Sequence, residues 1–293
     1  MKQRTIKRSV EAIGIGLHKG VPVKLKLEPM SENSGIIFYR SDKGVSIPLK
    51  PEYVVDTKMA TVLGNNGVMV STIEHLMSAI YAFGIDNLRI ILDNDEVPIM
   101  DGSAVSFVMM IEEAGIAELQ APKKFMKITK SVEINDGEKF AKISPNERIK
   151  FDFEINFNHP VIGRQKYNFN FSTKNYIEEI SRARTFGFLK EVQYLRSIGL
   201  ALGGSLDNAI VLDDKKILND SLRFDDEFVR HKILDAIGDM SLLGFNFIGS
   251  YEAFASGHHL NHLLTKKILE EKAYELVSFE NVEGEKAVAK AFS

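Results

Sequence analysis

Apolar and polar positions in the first third of the chain follow the period of strands in some segments and that of helices in others. Residues Val21–Leu27 alternate between the two classes, which predicts a half-buried strand. The apolar runs at residues 35–40 and 88–92 predict two more strands. The segments Ser71–Gly84 and Ser103–Gly115 each begin at a hydroxyl residue, repeat apolar side chains at helical spacing and end at a glycine. They therefore predict two helices.

A second series of elements begins after Gln120–Lys124, a polar segment that contains a proline. The predicted strands are residues 125–128, 140–143, 149–157, 166–171 and 208–212, and the predicted helices are residues 176–181, 191–197, 226–243 and 258–272. Each half has a helix that carries a histidine, His75 or His231, and ends at a glycine. This shared pattern is a weak internal repeat. We therefore expect two related α+β domains, at residues 1–121 and 122–293.

Composition narrows the chemistry that these elements can carry. The 293 residues have a formal net charge of −3, which is not the basic profile of a nucleic-acid-binding protein, so we expect no nucleic-acid partner. The absence of cysteine excludes disulfides, thiolate metal sites and a cysteine nucleophile, and it fits the reducing cytoplasm. No apolar run approaches the length of a membrane span, so we expect no transmembrane anchor. Any transition metal must therefore be held by the seven histidines and by carboxylates.

The strongest candidate for such a site is the pair His231 and Asp235. The two residues are four positions apart on a predicted helix, so both side chains lie on one face and can reach the same point. An imidazole and a carboxylate in this arrangement can hold a metal ion. The alternative is an ordinary ion pair one helical turn apart on a solvated surface.

A second candidate is the adjacent pair Glu74 and His75. Neighbouring helical residues point about 100° apart, so one can bind a metal while the other acts on a nearby water, as in zinc peptidases with a different residue order. The alternative is a capping box, in which Ser71 and Glu74 satisfy backbone groups at the helix start.

Two further segments could complete a catalytic site. His258 is predicted at a helix start, where the macrodipole lowers its pKa, and a carboxylate such as Asp239 could restore the charge that a proton-transferring histidine needs. In the segment from Arg184 to Phe188, Thr185 offers a hydroxyl to a developing oxyanion, and the phenylalanines suit an apolar ligand.

These segments occur in a fixed order along nearly the whole chain. They are residues 5–20, 71–76, 97–104, 184–188, 203–205, 230–239 and 256–258. Together they resemble the zinc-dependent UDP-3-O-acyl-N-acetylglucosamine deacetylases of lipid A biosynthesis. The resemblance implies two two-layer α/β-sandwich domains, packed face to face with the site between them, each with a small insert.

The resemblance also implies roles for individual residues. His75, His231 and Asp235 would bind zinc, although the same ligand types suit Fe²⁺. Glu74 would be the general base, and His258, oriented by Asp239, the general acid. Thr185 would hold the oxyanion, and Lys232 would contact the substrate. The insert at about residues 188–213 would form a passage for the fatty acyl chain, with its lining drawn from Phe186, Phe188, Leu189, Val192, Ile198, Leu200, Ala209 and Val211.

The expected function is removal of the 2-N-acetyl group from UDP-3-O-(3-hydroxyacyl)-N-acetylglucosamine with release of acetate, the committed step of lipid A, and hence lipopolysaccharide, synthesis. We expect a cytoplasmic monomer. Two alternatives stay open at this point. One is an Fe(II) oxygenase with two histidines and one carboxylate. The other is a non-catalytic, metal-stabilised module that binds a sugar or lipid.

Overall fold

The computed structural model describes residues 1–279 and 288–292. Its first half contains ten strands and two α-helices among these residues. The strands are β1 (Lys2–Ile6), β2 (Val10–Ile15), β3 (Pro22–Pro29), β4 (Ile36–Arg40), β5 (Val45–Pro48), β6 (Val54–Asp56), β7 (Val62–Asn65), β8 (Val68–Val70), β9 (Leu88–Leu92) and β10 (Ile116–Pro122). The helices are α1 (Glu74–Ala82) and α2 (Val105–Ala114), with a 3₁₀ turn at Pro51–Tyr53.

The main sheet of this half has the strand order β2-β3-β9-β4-β5. All its pairings are antiparallel except that of β4 with β9. The predicted alternation is confirmed in β3, where Val23, Leu25 and Leu27 are buried and the side chains between them are less so. A separate three-stranded sheet, β6-β7-β8, precedes α1, and β1 pairs with β10.

The second half repeats the combination of helices on a sheet. Its strands are β11 (Phe125–Ile128), β12 (Val132–Asp136), β13 (Lys139–Ser144), β14 (Ile149–Asn156), β15 (Arg164–Asn170), β16 (Phe186–Phe188), β17 (Ile210–Leu212), β18 (Asn246–Phe254) and β19 (Tyr274–Val277). Its helices are α3 (Thr173–Asn175) with a π-helix at Tyr176–Ile180, α4 (Leu189–Ser197), α5 (Glu227–Met240) with a 3₁₀ turn at Ser241–Leu243, and α6 (His258–Glu270). Strand β18 is central: it pairs with β11, β13 and β14.

Helix α1 of the first half and helix α5 of the second half pack against each other. Every residue of α1 is buried, and all residues of α5 are buried except Arg230 and Lys232. A helix that is buried on all sides lies in the centre of a protein rather than on its surface. The polar side chains on these two helices are therefore enclosed between the halves of the molecule.

The fold belongs to the predicted α+β class. The chain passes from β10, which pairs with β1, to β11, which pairs with β18 and β19. The change of sheet falls between Pro122 and Phe125, close to the domain boundary that we propose between residues 121 and 122. Within the described residues, no helix combines the length and the apolar character needed to cross a membrane.

Candidate metal centre and catalytic site

Three buried side chains from α1 and α5 converge at one point. His75 Nε2 lies 3.5 Å and His231 Nε2 lies 3.3 Å from Asp235 Oδ1, and one ligand atom from each residue lies within 4.8 Å of the other two. Asp235 Oδ1 is buried and makes no hydrogen bond of good geometry with any described residue. A buried carboxylate oxygen without a donor, faced by two imidazole nitrogens, fits a site for a divalent metal ion.

The orientation of these groups is fixed by their outer contacts. His231 Nδ1 is 3.0 Å from the carbonyl oxygen of Ala183, which directs Nε2 toward the cluster, as is common for histidines that bind metals. Lys232 Nζ donates to Asp235 Oδ2 over 3.0 Å. One oxygen of Asp235 is therefore satisfied by protein, and the other faces the two histidines.

The protonation states also suit metal binding. Burial lowers the pKa of His231 to about 4, although the Asp235 carboxylate opposes the shift. Burial disfavours the ionised form of Asp235, but the charges of His231 and Lys232 outweigh it and hold the pKa well below its usual value. Near neutral pH the pair is therefore an imidazole and a carboxylate, the forms that bind a cation. The surface ion pair that we considered for His231 and Asp235 is wrong, because both side chains are buried.

Glu74 is the first residue of α1, and its carboxylate lies beside the cluster. Its Oε2 accepts a hydrogen bond from the backbone N–H of Thr61 over 3.1 Å, and its Oε1 lies 3.6 Å from His258 Nε2. Burial raises the pKa of Glu74, and the charges of His258 and His75 reduce that shift. A carboxyl group with a raised pKa beside a histidine can exchange a proton near neutral pH.

The capping-box alternative for Glu74 is wrong. The helix begins at Glu74 after an Ile73 N-cap that makes no side-chain cap hydrogen bond. The backbone of Ser71 forms a β-bridge with Glu96 instead, and Thr72 adopts a left-handed conformation with φ 58°. The bridge to Glu96 and the left-handed turn at Thr72 keep Ser71 out of the N-cap position of the helix.

His258 and Asp239 form a hydrogen-bonded pair next to Glu74. His258 Nδ1 is 2.9 Å from Asp239 Oδ2, and His258 is the first residue of α6. Burial disfavours the charged imidazole, but the carboxylates of Asp239 and Glu74 outweigh it and raise the pKa of His258 to about 10. The two nearby negative charges therefore outweigh the decrease in the pKa of His258 that is expected at a helix start.

Thr185 and Lys232 lie at the border between the cluster and an apolar cavity. Thr185 is half-buried, donates its backbone N–H to Gly102 and accepts from Ile210, each over 2.8 Å. Lys232 Nζ lies 5.5 Å from the ring centre of Phe186. Thr185 and Phe186 both line the cavity.

The cavity has a volume of about 410 Å³. Five of the predicted passage residues line it: Phe186, Leu189, Val192, Ala209 and Val211. Phe188 does not; its ring packs against Phe157 and His159. Leu200 and the exposed Ile198 also lie outside the lining. A larger cavity, of about 590 Å³ and next to Met77 and Leu243, contains none of the predicted site residues.

The sequence interpretation missed part of the lining and one polar residue. Leu195 continues the helical spacing of Leu189 and Val192, so this signal was present in the sequence. Met59 and Leu17 come from the first half and gave no local signal; Leu17 reaches the insert through its carbonyl oxygen, which accepts from Gly203 N over 2.9 Å. Thr61 contacts two carboxylates of the site, and it also had no local signal in the sequence.

Comparison with known proteins agrees with this geometry. The family model described as LpxC, UDP-3-O-acyl N-acetylglycosamine deacetylase, matches residues 3–270. Curated proteins named UDP-3-O-acyl-N-acetylglucosamine deacetylase are similar to this chain. The protein from Nautilia profundicola is 87% identical over 293 residues, which is 100% of both chains. The protein from Nitratiruptor sp. is 68% identical over 94% of both, and that from Aliarcobacter butzleri is 64% identical over 98% of this chain and 97% of its own.

Proposed function

Because the chain belongs to the LpxC family of UDP-3-O-acyl-N-acetylglucosamine deacetylases, we propose that His75, His231 and Asp235 hold the catalytic metal ion of this reaction. The protein is a hydrolase that removes the N-acetyl group of UDP-3-O-acyl-N-acetylglucosamine, a step of lipid A biosynthesis. Family membership supports this function and neither the Fe(II) oxygenase nor the non-catalytic binding module.

The observation that carries the metal proposal is the free Asp235 Oδ1 between two imidazole nitrogens. Two histidines and one carboxylate suit zinc, which we propose as the native metal, and Fe²⁺ suits the same ligands. When bound, the metal supplies Lewis-acid chemistry, since it polarises the amide carbonyl and acidifies water.

We propose that Glu74 is the general base. Its buried carboxylate has one oxygen held by Thr61 N–H and the other near His258 Nε2. This position lets Glu74 take a proton from the attacking water, and the raised pKa supports that exchange.

His258 has the properties of the general acid. The Asp239 and Glu74 carboxylates keep its imidazole protonated, and its Nε2–H faces the site while Nδ1–H donates to Asp239. His258 therefore donates a proton to the amine nitrogen as the amide C–N bond breaks. The Thr185 hydroxyl would donate to the developing oxyanion.

The remaining residues bind the substrate in this proposal. The 3-O-acyl chain enters the cavity past Phe186, which lines the cavity and whose ring lies near Lys232. The ammonium group of Lys232 is partly exposed at that border, so it can contact polar atoms of the sugar. The apolar lining contributes about 0.8 kcal/mol for each methylene that it buries.

We also propose that the enzyme works as a cytoplasmic monomer. The absence of cysteine fits a reducing compartment. Size-exclusion chromatography with light scattering would measure the mass in solution, and a dimer mass would contradict the proposal.

Mass spectrometry of UDP-3-O-acyl-N-acetylglucosamine after incubation with the zinc-loaded protein tests the function. We expect a product that has lost one acetyl group, together with free acetate. An unchanged substrate with fully metal-loaded, folded protein would contradict the proposal. Acetate release without oxygen would also separate hydrolysis from an oxygenase reaction.

A further inference from the structure

Thr61 contacts two acidic residues of the site from one buried position. The residue directly precedes β7, and it is 1% exposed. Its backbone N–H donates to Glu74 Oε2 over 3.1 Å, and its hydroxyl donates to Asp239 Oδ1 over 2.6 Å. Glu74 begins α1 in the first half, whereas Asp239 lies near the end of α5 in the second. Thr61 therefore connects the two helices that carry the acidic groups of the site.

These contacts close a ring of four side chains and one backbone group. Glu74 Oε1 lies 3.6 Å from His258 Nε2, and His258 Nδ1 lies 2.9 Å from Asp239 Oδ2. Asp239 Oδ1 and Glu74 Oε2 are then joined through the hydroxyl and the N–H of Thr61. Each carboxylate thus uses one oxygen for His258 and the other for Thr61.

We propose that Thr61 is a positioning residue, which holds Glu74 and the Asp239–His258 pair in the geometry for proton transfer. This inference rests on the proposed function. Asn261 Nδ2 also donates to Asp239, but to the same oxygen that faces His258, over 2.8 Å. The Thr61 hydroxyl is the donor that the structure gives to Oδ1. It therefore fixes the rotation of the Asp239 carboxylate, and through it the direction of the His258 ring.

Without this hydroxyl, Asp239 Oδ1 would be buried without its donor. A buried unpaired oxygen is costly, so the carboxylate would rotate or recruit water, and Oδ2 would move relative to His258. The groups that bind the substrate and the metal would keep their contacts, because Thr61 donates to none of them. The expected signature is a loss in kcat without a loss of binding.

The test uses Thr61→Val, which removes the hydroxyl but keeps the backbone N–H and nearly the same volume. We expect kcat to fall by about tenfold or more, since a hydrogen bond to a charged group is lost. KM and the metal content should stay as in the wild type. Thr61→Ser restores the hydroxyl and should return kcat to within about twofold.

Thr5→Val is the matched control. Thr5 is 3% exposed, and its hydroxyl donates to the carbonyl oxygen of Asn87 over 2.6 Å, away from the site. This variant also loses one buried hydroxyl, so Tm should fall in both variants, but kcat only in Thr61→Val. The NMR signal of the His258 Nδ1 proton, read in the metal-free protein, should shift in Thr61→Val and stay in place in Thr5→Val.

Three results would overturn the proposal: a wild-type kcat in Thr61→Val, an equal kcat loss in Thr5→Val, or a failure of Thr61→Ser to restore activity. If Thr61→Val does not fold, Thr61→Cys, with a weak S–H donor, must show the same loss in kcat at constant KM. The wild type and Glu74→Gln are assayed in parallel. An inactive wild type contradicts the proposed function, whereas an active wild type leaves Thr61 to be judged by its own variants.

Discussion

At the scale of single residues, the charge of Glu74 is the feature that the proposed reaction depends on most directly. Glu74→Gln keeps the length of the side chain and an oxygen that can accept from Thr61 N–H, but it removes the proton acceptor. We expect kcat to fall by about 100-fold or more, the usual contribution of a general base, while the metal content is unchanged. Acetate release per bound metal measures this effect. A variant with nearly full activity would show that Glu74 only supports the structure.

The proposed metal ligands are tested by removing both imidazoles. The double variant His75→Ala/His231→Ala leaves Asp235 as the one remaining residue of the cluster, so we expect the bound metal to be lost. Elemental analysis of purified protein gives the stoichiometry. The control is His259→Ala/His262→Ala, which removes two α6 histidines outside the cluster and should keep the metal. Stoichiometric metal in the first double variant would contradict the ligand assignment.

At the scale of elements, the site depends on how closely α1 and α5 approach each other. A Cβ on Gly238 would lie 2.0 Å from the carbonyl oxygen of Glu74 and 2.7 Å from its carbonyl carbon. A change from glycine to alanine in a helix normally increases stability by about 1 kcal/mol. In Gly238→Ala, however, the added Cβ forces helices α1 and α5 to separate. We expect a loss of about 2 kcal/mol in the free energy of unfolding and weaker metal binding.

Urea unfolding and metal titration measure these two effects. Gly257→Ala is the control, because a Cβ at that position would meet no atom within 4 Å. If Gly238→Ala were as stable as the wild type and bound metal normally, the close helix contact would not be needed for the site.

The start of α5 carries a pH-dependent contribution to stability. Glu227 accepts from Arg184 Nε over 2.8 Å and from Arg223 N over 2.6 Å. Burial disfavours its charge, but these hydrogen bonds outweigh burial and lower its pKa below the ordinary value of 4.5. The unfolded state therefore binds the proton more readily. The stabilisation is complete above that ordinary value and is lost as the pH falls through the folded-state pKa.

Glu227→Gln should therefore reduce the free energy of unfolding by about 3 kcal/mol at neutral pH, because it leaves the buried Arg184 guanidinium without its carboxylate. Between about pH 5 and pH 3, the variant should lose less further stability than the wild type. Urea unfolding across this range is the measurement, with Glu191→Gln at an exposed position of α4 as the control. Parallel pH curves for Glu227→Gln and the wild type would contradict this account.

The elements also show which parts of the structure the sequence could predict. The helix predicted at residues 226–243 is present as α5 followed by a 3₁₀ turn, because its apolar spacing and its glycine end are local signals. The predicted helix at 176–181 is mostly a π-helix, in which the buried Tyr176 donates its hydroxyl proton to Ser78. That contact joins residues far apart in the chain, so local periodicity did not predict it. The same holds for Ser71, whose β-bridge to Glu96 moved the start of α1.

At the scale of the whole molecule, the two halves share both the proposed metal site and the cavity. His75 comes from the first half, and His231 and Asp235 come from the second. The cavity combines Leu17 and Met59 with the insert that contains α4. The ligand types and their helices could be predicted from the sequence, but the distance between α1 and α5 could not. The approach of Leu17 to the insert depends on tertiary hydrogen bonds that no local pattern records.

The shared cavity leads to a prediction about acyl chains. Val192 lines the cavity, whereas its neighbour Gln193 is exposed on α4 and lies outside the lining. Val192→Phe places a ring in the space of a long acyl chain. If about two methylenes lose their contacts, binding weakens by about tenfold, so KM should rise for long-chain substrates and change little for short-chain ones.

Gln193→Phe adds a ring of the same size toward solvent, so it is the matched control and should keep the wild-type KM for both substrates. Both variants should keep the full metal content, because neither residue contacts the cluster. Steady-state kinetics with a short-chain and a long-chain UDP-3-O-acyl-N-acetylglucosamine measures the difference. An equal rise in KM for both chain lengths in Val192→Phe would mean that the ring disturbs the sugar site. In that case the cavity between the two halves would not determine chain-length preference.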